Sequence, residues 1–281
     1  MEVFKLPIPS DEGMTPELWC YLPSNFPDIE PERKRPAVIV CPGGAYRICS
    51  NRESECIALQ YLAQDMAAFV LIYSVKNQSA SFPRCTMEAL TAIKTVREHS
   101  DEWNIDPNKI AILGFSAGGH LAASTGAFWN SPFAATAFGN CELCKPNAAV
   151  LCYPVISDDD HPHLGSFRHL LGDNATKEEM DKISIEKLVT KEYPPTFLWH
   201  TATDTTVPVQ NSLVMAKALA NEKVPFEMHV YPTGRHGLGL ADERSARCEN
   251  GVADPTLMVE RPRQWVADSV KFLKEVAFKQ D

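Results

Sequence analysis

Short apolar runs alternate with longer amphipathic stretches along the 281 residues, and this alternation constrains the fold more than any other feature of the chain. A run of five or six residues without polar alternation suits a strand buried on both faces, and amphipathic helices between such strands supply the covers. The runs are Ala37-Val-Ile-Val-Cys41, Ala68 to Tyr73, Asn108 to Leu113, Ala148 to Cys152 and Thr196 to His200, with alternating strands at Glu17 to Leu22 before them and at Phe226 to Tyr231 after them. Helical patterns are predicted at about 53–66, 86–99, 117–123, 209–220 and 263–276; in the second, Leu90, Ile93 and Val96 recur three apart. The expected architecture is therefore α/β, with a mostly parallel central sheet and helices on both faces. A single domain over residues 1–281 fits this length.

From about 157 to 194 the strand rhythm lapses. Phe167, Leu170 and Leu171 form a helical stripe ended by Gly172, and Thr176-x-x-Glu179 reads as a capping box that opens another helix. This segment is expected to be a small helical cap inserted over the sheet rather than a second domain.

Composition narrows the partners. With 27 Lys and Arg against 36 Asp and Glu, the net charge is −9 and no basic run occurs, which argues against nucleic acid and anionic membrane surfaces. The first ten residues lack a charged and apolar leader, and no segment offers a long unbroken apolar span, so a cytoplasmic location is expected. A homodimer is compatible with this composition. The nine cysteines, odd in number, read as free thiols, with Cys41 and Cys152 acting as small hydrophobes inside strands. The Cys141-x-x-Cys144 pair lacks the second ligand pair that a zinc site needs and is expected to be a plain surface loop.

Chemistry enters at Gly114-Phe-Ser-Ala-Gly118, a G-x-S-x-G pattern lying between a predicted buried strand and a small-residue helix. A turn that tight needs small residues two positions before and after the serine. The same turn lifts Ser116 above the sheet at the N-terminus of the helix, making it the candidate nucleophile. Acyl transfer also needs donors for the oxygen that becomes negative. The Ala117 N–H would be one, and Pro42-Gly43-Gly44-Ala45-Tyr46, after an earlier strand, would offer Gly43 and Gly44.

Eight histidines compete as general base. His120 would point along the elbow helix and His229 would share a polar strand face with Glu227. His99 ends a helix, and His161, His163 and His169 belong to the irregular cap. His236 sits in a glycine-rich loop after the last strand, where a serine at such an elbow finds its base when the chain order is Ser, acid, His. Asp204, at the C-terminal end of the Thr196–His200 strand, is the favoured acid; the rival Asp158-Asp-Asp160 reads as a solvated loop. Tyr46, Trp103 and Trp129 are candidate stacking surfaces for a substrate ring, Tyr46 foremost, with buried packing as the commoner fate of such residues.

These residues carry a resemblance. Val40-Cys-Pro-Gly-Gly-Ala-Tyr46, Asn104 to Ile110, Gly114-Phe-Ser-Ala-Gly-Gly-His120, Trp199 to Asp204 with Val207-Pro208, and Tyr231 to Gly237 resemble the acetyl-esterase and acetylxylan-esterase-like branch of the α/β-hydrolases. The resemblance implies an α/β-hydrolase fold with Ser116, Asp204 and His236 as the triad and Gly43, Gly44 and Ala117 at the oxyanion hole. It also implies a small-molecule ester as substrate, a short acyl group on a sugar or small alcohol, and no metal or organic cofactor. Ala45 departs from the pattern, which usually carries a third glycine there, and the methyl would narrow the site or strain the loop if φ is positive. Two other readings share these residues. A serine peptidase of the same fold would use the same triad, and a non-catalytic binding protein on this scaffold would normally have lost one member. A dienelactone hydrolase would carry Cys at the elbow.

Overall fold

The computed structural model describes residues 1–10, 15–76, 80–159 and 161–279. Its centre is an eight-stranded sheet in the order β1-β2-β4-β3-β5-β6-β7-β8. The strands are β1 (Glu2–Pro7), β2 (Glu17–Leu22), β3 (Arg35–Cys41), β4 (Ala67–Ile72), β5 (Ile105–Phe115), β6 (Ala148–Cys152), β7 (Thr196–Thr201) and β8 (Phe226–Tyr231). β1 and β2 form an antiparallel edge, and every pairing from β4 through β8 is parallel. The mostly parallel sheet expected from the apolar runs is thus observed.

The pleat explains why those runs are continuously apolar. Along β3, Ala37, Ile39 and Cys41 face one core layer while Val38 and Val40 face the other, and all five are fully buried. The first layer is closed by α2 (Arg84–Glu98), α3 (Ala117–Phe128) and α7 (Gln210–Asn221), through side chains such as Ile93, Leu121 and Met215. The second is closed by α1 (Glu55–Leu62) and α8 (Trp265–Phe272), through Ile57, Tyr61, Trp265 and Phe272. Each such side chain contributes roughly 1.5–3 kcal/mol by leaving water.

Helix limits differ from the sequence expectation where the chain turns early. The 53–66 pattern resolves into a 3-10 turn, Asn51–Glu53, followed by α1, and Asp65 adopts a left-handed φ of 62° that reverses the chain into β4. The C-terminal pattern begins as a 3-10 turn at Arg261–Gln264, continues as α8 and ends in a π turn at Leu273–Ala277.

The 157–194 stretch folds as α5 (Leu164–Leu171), stopped at Gly172, and α6 (Lys177–Asp181), opened by the Thr176–Glu179 capping box. Between α3 and β6 lies α4 (Pro132–Phe138), capped by the Ser131 hydroxyl accepting the Ala134 N–H. A two-strand ribbon, β9 (Cys248–Glu249) with β10 (Val252–Ala253), follows the His236 loop. No helix among the described residues is long and apolar enough to cross a membrane.

Three local expectations are corrected. Cys144 is not on a surface loop: it is fully buried with Leu90, Trp129 and Ala134, and burial raises its thiol to about 12. Asp158 is not solvated. It is buried, accepts the Ser184 hydroxyl at 2.6 Å and is flanked by Lys177 at 2.6 Å and Lys187 at 3.2 Å, while Asp160 lies outside the described residues. Trp103 and Trp129 are both buried, Trp103 stacked on His99 at 4.5 Å, and neither lines the cleft described below.

Candidate active site

The end of β5 delivers Ser116 into a conformation that the turn imposes. Its φ of 53° and ψ of −118° lie outside the comfortable regions for a residue with a Cβ, a strain on the order of 1–3 kcal/mol. The backbone holds it there. Ser116 N–H donates to Cys152 O at 3.0 Å, and its carbonyl accepts N–H donors from His120 at 3.1 Å and Val155 at 3.0 Å. The flanking glycines are needed for close approach: a Cβ on Gly114 would sit 2.0 Å from Gly118 O, and one on Gly118 would sit 2.2 Å from Cys41 O.

Ser116, His236 and Asp204, 120 and 32 residues apart in sequence, meet in a continuous chain of hydrogen bonds. The Ser116 hydroxyl lies 2.8 Å from His236 Nε2, and His236 Nδ1 lies 2.6 Å from Asp204 Oδ2. Asp204 is buried just past β7, and its other oxygen accepts the N–H groups of Thr206 at 2.9 Å and Val207 at 3.0 Å. Burial alone would raise the Asp204 carboxyl. The nearby His200 Nε2 at 3.5 Å, the hydrogen bond and charge of His236 and the Val207 N–H outweigh it and hold the group well below the usual carboxylate range. His200, within β7, donates from Nε2 to Val207 O at 2.8 Å and so props the turn that carries the acid.

The remaining histidines have other duties. His120 is buried, accepts the Tyr46 hydroxyl at 2.8 Å and donates to Ile183 O at 2.8 Å; burial lowers it to about 4, so it is neutral. His229 bonds Glu227 at 2.7 Å, and His99 caps α2. Two histidines of the 157–194 segment are better fixed than its irregular sequence led one to expect. His163 caps α5 and lines the cleft, and His169 donates to Ala45 O at 2.7 Å.

The loop after β3 departs from expectation in two residues. Gly43 does not present its N–H to the cleft, because that group donates to Glu53 Oε2 at 3.0 Å. Gly44, at φ 132°, and Ala117 are left as the expected donors whose N–H groups have no partner among the described residues. Tyr46 is not a substrate platform either: with φ 57° its ring turns inward, is 1% exposed and bonds His120. Ala45 has φ 56°, the left-handed conformation in which its methyl is strained.

Glu53 is the residue that reading the sequence misses. Its second oxygen accepts the Tyr153 hydroxyl at 2.6 Å, and that hydroxyl accepts the Gly239 N–H at 2.9 Å. One buried carboxylate thereby ties the Gly43 loop to the end of β6 and to the His236 loop. Only these distant partners distinguish it, and no local motif marks it. The cleft over Ser116 and His236 has a volume of about 390 Å³, and its walls include Gly44, Ala45, Glu53, His163 and four arginines.

Known proteins bear on this arrangement. The chain is 37% identical over 238 residues to endo-1,4-beta-xylanase B of Butyrivibrio fibrisolvens, covering 82% of this chain and 36% of that one. It is 31% identical over 237 residues to an acetylxylan esterase of Xylanibacter ruminicola, covering 82% and 45%. The chain thus spans less than half the length of either curated relative. Among solved structures, the acetyl ester-xyloside bifunctional hydrolase from Caldicellulosiruptor lactoaceticus matches at a TM-score of 0.81 with 34% identity, over 99% of this chain and 97% of that one. The carboxylesterase Cest-2923 from Lactobacillus plantarum matches at a TM-score of 0.83 with 25% identity, over the full length of both. The BD-FAE family model matches residues 21–219, a span running from the end of β2 through most of α7, and the chain therefore belongs to the BD-FAE family of esterase-like α/β-hydrolases.

Proposed function

We propose that the chain is a serine esterase that hydrolyses short acyl esters, acetyl above all, with Ser116 as nucleophile, His236 as general base and acid, and Asp204 as the group that orients His236. The observation that carries this reading is the run of contacts from Asp204 to His236 at 2.6 Å and from His236 to Ser116 at 2.8 Å. His236 Nε2 takes the Ser116 proton as Oγ attacks the ester carbonyl. The N–H groups of Gly44 and Ala117 receive the oxygen that becomes negative, in a correction of the three-donor set expected earlier. His236 then protonates the leaving alcohol, and an acyl-serine forms. Water, deprotonated by the same nitrogen, releases the acid. Asp204 stays ionised throughout, consistent with a pKa held well below the usual range.

An acetylated sugar is the proposed substrate class. It is supported by relatives whose names specify acetylxylan or acetyl ester-xyloside substrates. We assign the chain a single hydrolase domain, with residues 157–194 as a small cap whose His163 reaches the cleft and whose His169 steadies the Gly44–Ala45 turn. The test is Ser116→Ala assayed on a chromogenic acetate ester. Turnover should fall by at least about 10³-fold, and labelling by a fluorophosphonate should vanish, with the melting temperature preserved. Undiminished hydrolysis by that variant would refute the assignment.

A further inference from the structure

The cleft beside Ser116 is walled by Arg47, Arg52, Arg235 and Arg247, in a chain whose overall charge is −9. Two of the four are committed to the fold. Arg52 donates to Ser245 O at 2.5 Å and Gly237 O at 2.6 Å, and Arg235 lies 3.3 Å from Asp254. Arg47 and Arg247 are exposed, and neither guanidinium forms a hydrogen bond or a close salt bridge among the described residues, although the Arg247 charge is near enough to Asp254 to help hold that carboxyl down. Among the described residues one carboxylate lines the wall, Glu53, which is 4% exposed and already accepts Gly43 N–H and Tyr153 OH. Four arginines therefore line a cleft whose wall holds one carboxylate, already satisfied; Asp254, which pairs with Arg235 and is also held down by the Arg247 charge, offsets part of this positive charge from beside the cleft.

An acidic protein that gathers positive charge at one concave site creates a field that draws an anion to that site. A planar guanidinium suits a carboxylate or phosphate because it offers two parallel donors. The side on which the charge sits matters. His236 must protonate the leaving alcohol, so that alcohol lies towards the His236 loop, where Arg235 adjoins His236 and Arg247 follows. We infer that the ester's alcohol part carries a fixed negative charge seated by Arg47 and Arg247, making the substrate an acyl ester of an acidic sugar, either a sugar carboxylate or a sugar phosphate. This inference rests on the esterase reading of Ser116.

The test compares kcat/KM for three O-acetylated substrates: methyl glucoside, glucuronate and glucose 6-phosphate. At low salt, one or both anionic esters should be favoured over the neutral one by about tenfold, the sum of two partly exposed ion pairs. The preference should shrink as ionic strength rises from about 0.02 M to about 0.5 M and screening shortens to roughly 4 Å. In the double variant Arg47→Gln/Arg247→Gln the ratio should fall towards one. Which anion is preferred identifies the source of the charge. Equal or inverse preference in the wild type, or an unaltered preference in the double variant, overturns the inference, while Ser116-dependent turnover of the neutral ester leaves the esterase reading standing. If no ester is turned over, calorimetric titration with glucuronate and with glucose 6-phosphate decides the matter alone: saturable binding lost in the double variant supports the arginine cradle, and no binding overturns it.

Discussion

Glu53 offers the sharpest test of how the site is held. In Glu53→Ala, the buried Gly43 N–H and Tyr153 hydroxyl both lose their acceptor. Each orphaned donor costs about 1–3 kcal/mol, so the variant should lose about 2–6 kcal/mol before any cavity term. At this chain length, about 2 °C per kcal/mol lowers the melting temperature by roughly 4–12 °C. Burial and the adjoining carboxylate hold Tyr153 protonated, so its hydroxyl remains a donor in need of a partner. Glu53→Gln separates positioning from bulk stability because it keeps the shape. Its single amide oxygen can serve Gly43 or Tyr153 but not both, and the stability loss should be about half that of the alanine variant. The catalytic effect should be larger than that loss implies. Gly43 immediately precedes the proposed donor Gly44, and displacing an oxyanion donor costs up to roughly 10²- to 10³-fold. Turnover of an acetate ester by Glu53→Gln should drop about tenfold to a hundredfold with KM nearly unchanged, and fluorophosphonate labelling of Ser116 should slow in step. A glutamine variant with wild-type kcat, whatever its melting temperature, would refute the claim that this carboxylate sets the donor geometry.

Four further outcomes are expected. Gly118→Ala forces a methyl within 2.2 Å of Cys41 O and 2.3 Å of Pro42 O, backbone atoms that cannot yield, and should lose more than about 4 kcal/mol in chemical denaturation. Ala45→Gly relieves a left-handed alanine worth about 1–2 kcal/mol and returns about 0.4–1 kcal/mol to the unfolded chain, so the melting temperature should rise by about 1–2 °C; a fall would contradict the strain. His120 is lowered to about 4 from an unfolded value near 6.5, so its neutral form contributes stability in full above pH 6.5 and loses it as pH falls towards 4. Between those pH values the wild type should lose on the order of 3 kcal/mol, a slope that His120→Phe should flatten in urea titrations. Asp204, whose folded pKa is depressed, contributes stability present above its unfolded value of about 3.9 and lost as pH falls through the folded value. Asp204→Asn should remove that last acid-dependent step and lower kcat by about 10³- to 10⁴-fold, as read by pH-jump unfolding and steady-state assay.

What the sequence disclosed follows from how local each determinant is. The apolar runs of β3 to β7 are legible because a parallel strand buried on both faces leaves little room for polar alternation, as the five buried side chains Ala37 to Cys41 illustrate, whereas edge strand β8 is legible by its alternation and has no buried residue. Edge strand β1 is not legible in this way, since it is covered on one side only and every residue from Glu2 to Pro7 keeps some exposure. α4 did carry a signal, Ser131-Pro132 as cap and first residue, but its seven residues are too short to show a period. Ser116, Asp204 and His236 could be named because each stands at the end of a readable strand or in a loop with its own glycine signature.

The errors share a cause as well. Tyr46 and Gly43 stand beside the donor loop, and the direction in which each group points is decided by backbone torsions and by partners far along the chain: His120 for Tyr46, Glu53 for Gly43. Asp158 looked solvated because two further aspartates follow it in sequence, but Lys177 comes to it from the start of α6 and Lys187 from the 3-10 turn after it, 19 and 29 residues on. The arginine wall has the same origin. Arg47 and Arg247 belong to loops 200 residues apart, and no composition window contains both. Residue types at strand ends therefore set the order of the proposed chemistry, whereas the aim of its donors and the charge of its cleft arise from side chains that only the closed sheet brings together. Substitutions at Ser116 and Asp204 test the first kind of determinant and substitutions at Glu53, Arg47 and Arg247 the second, and the two sets should separate in the assays: the first should abolish turnover of every ester, and the second should change its rate or its choice of substrate.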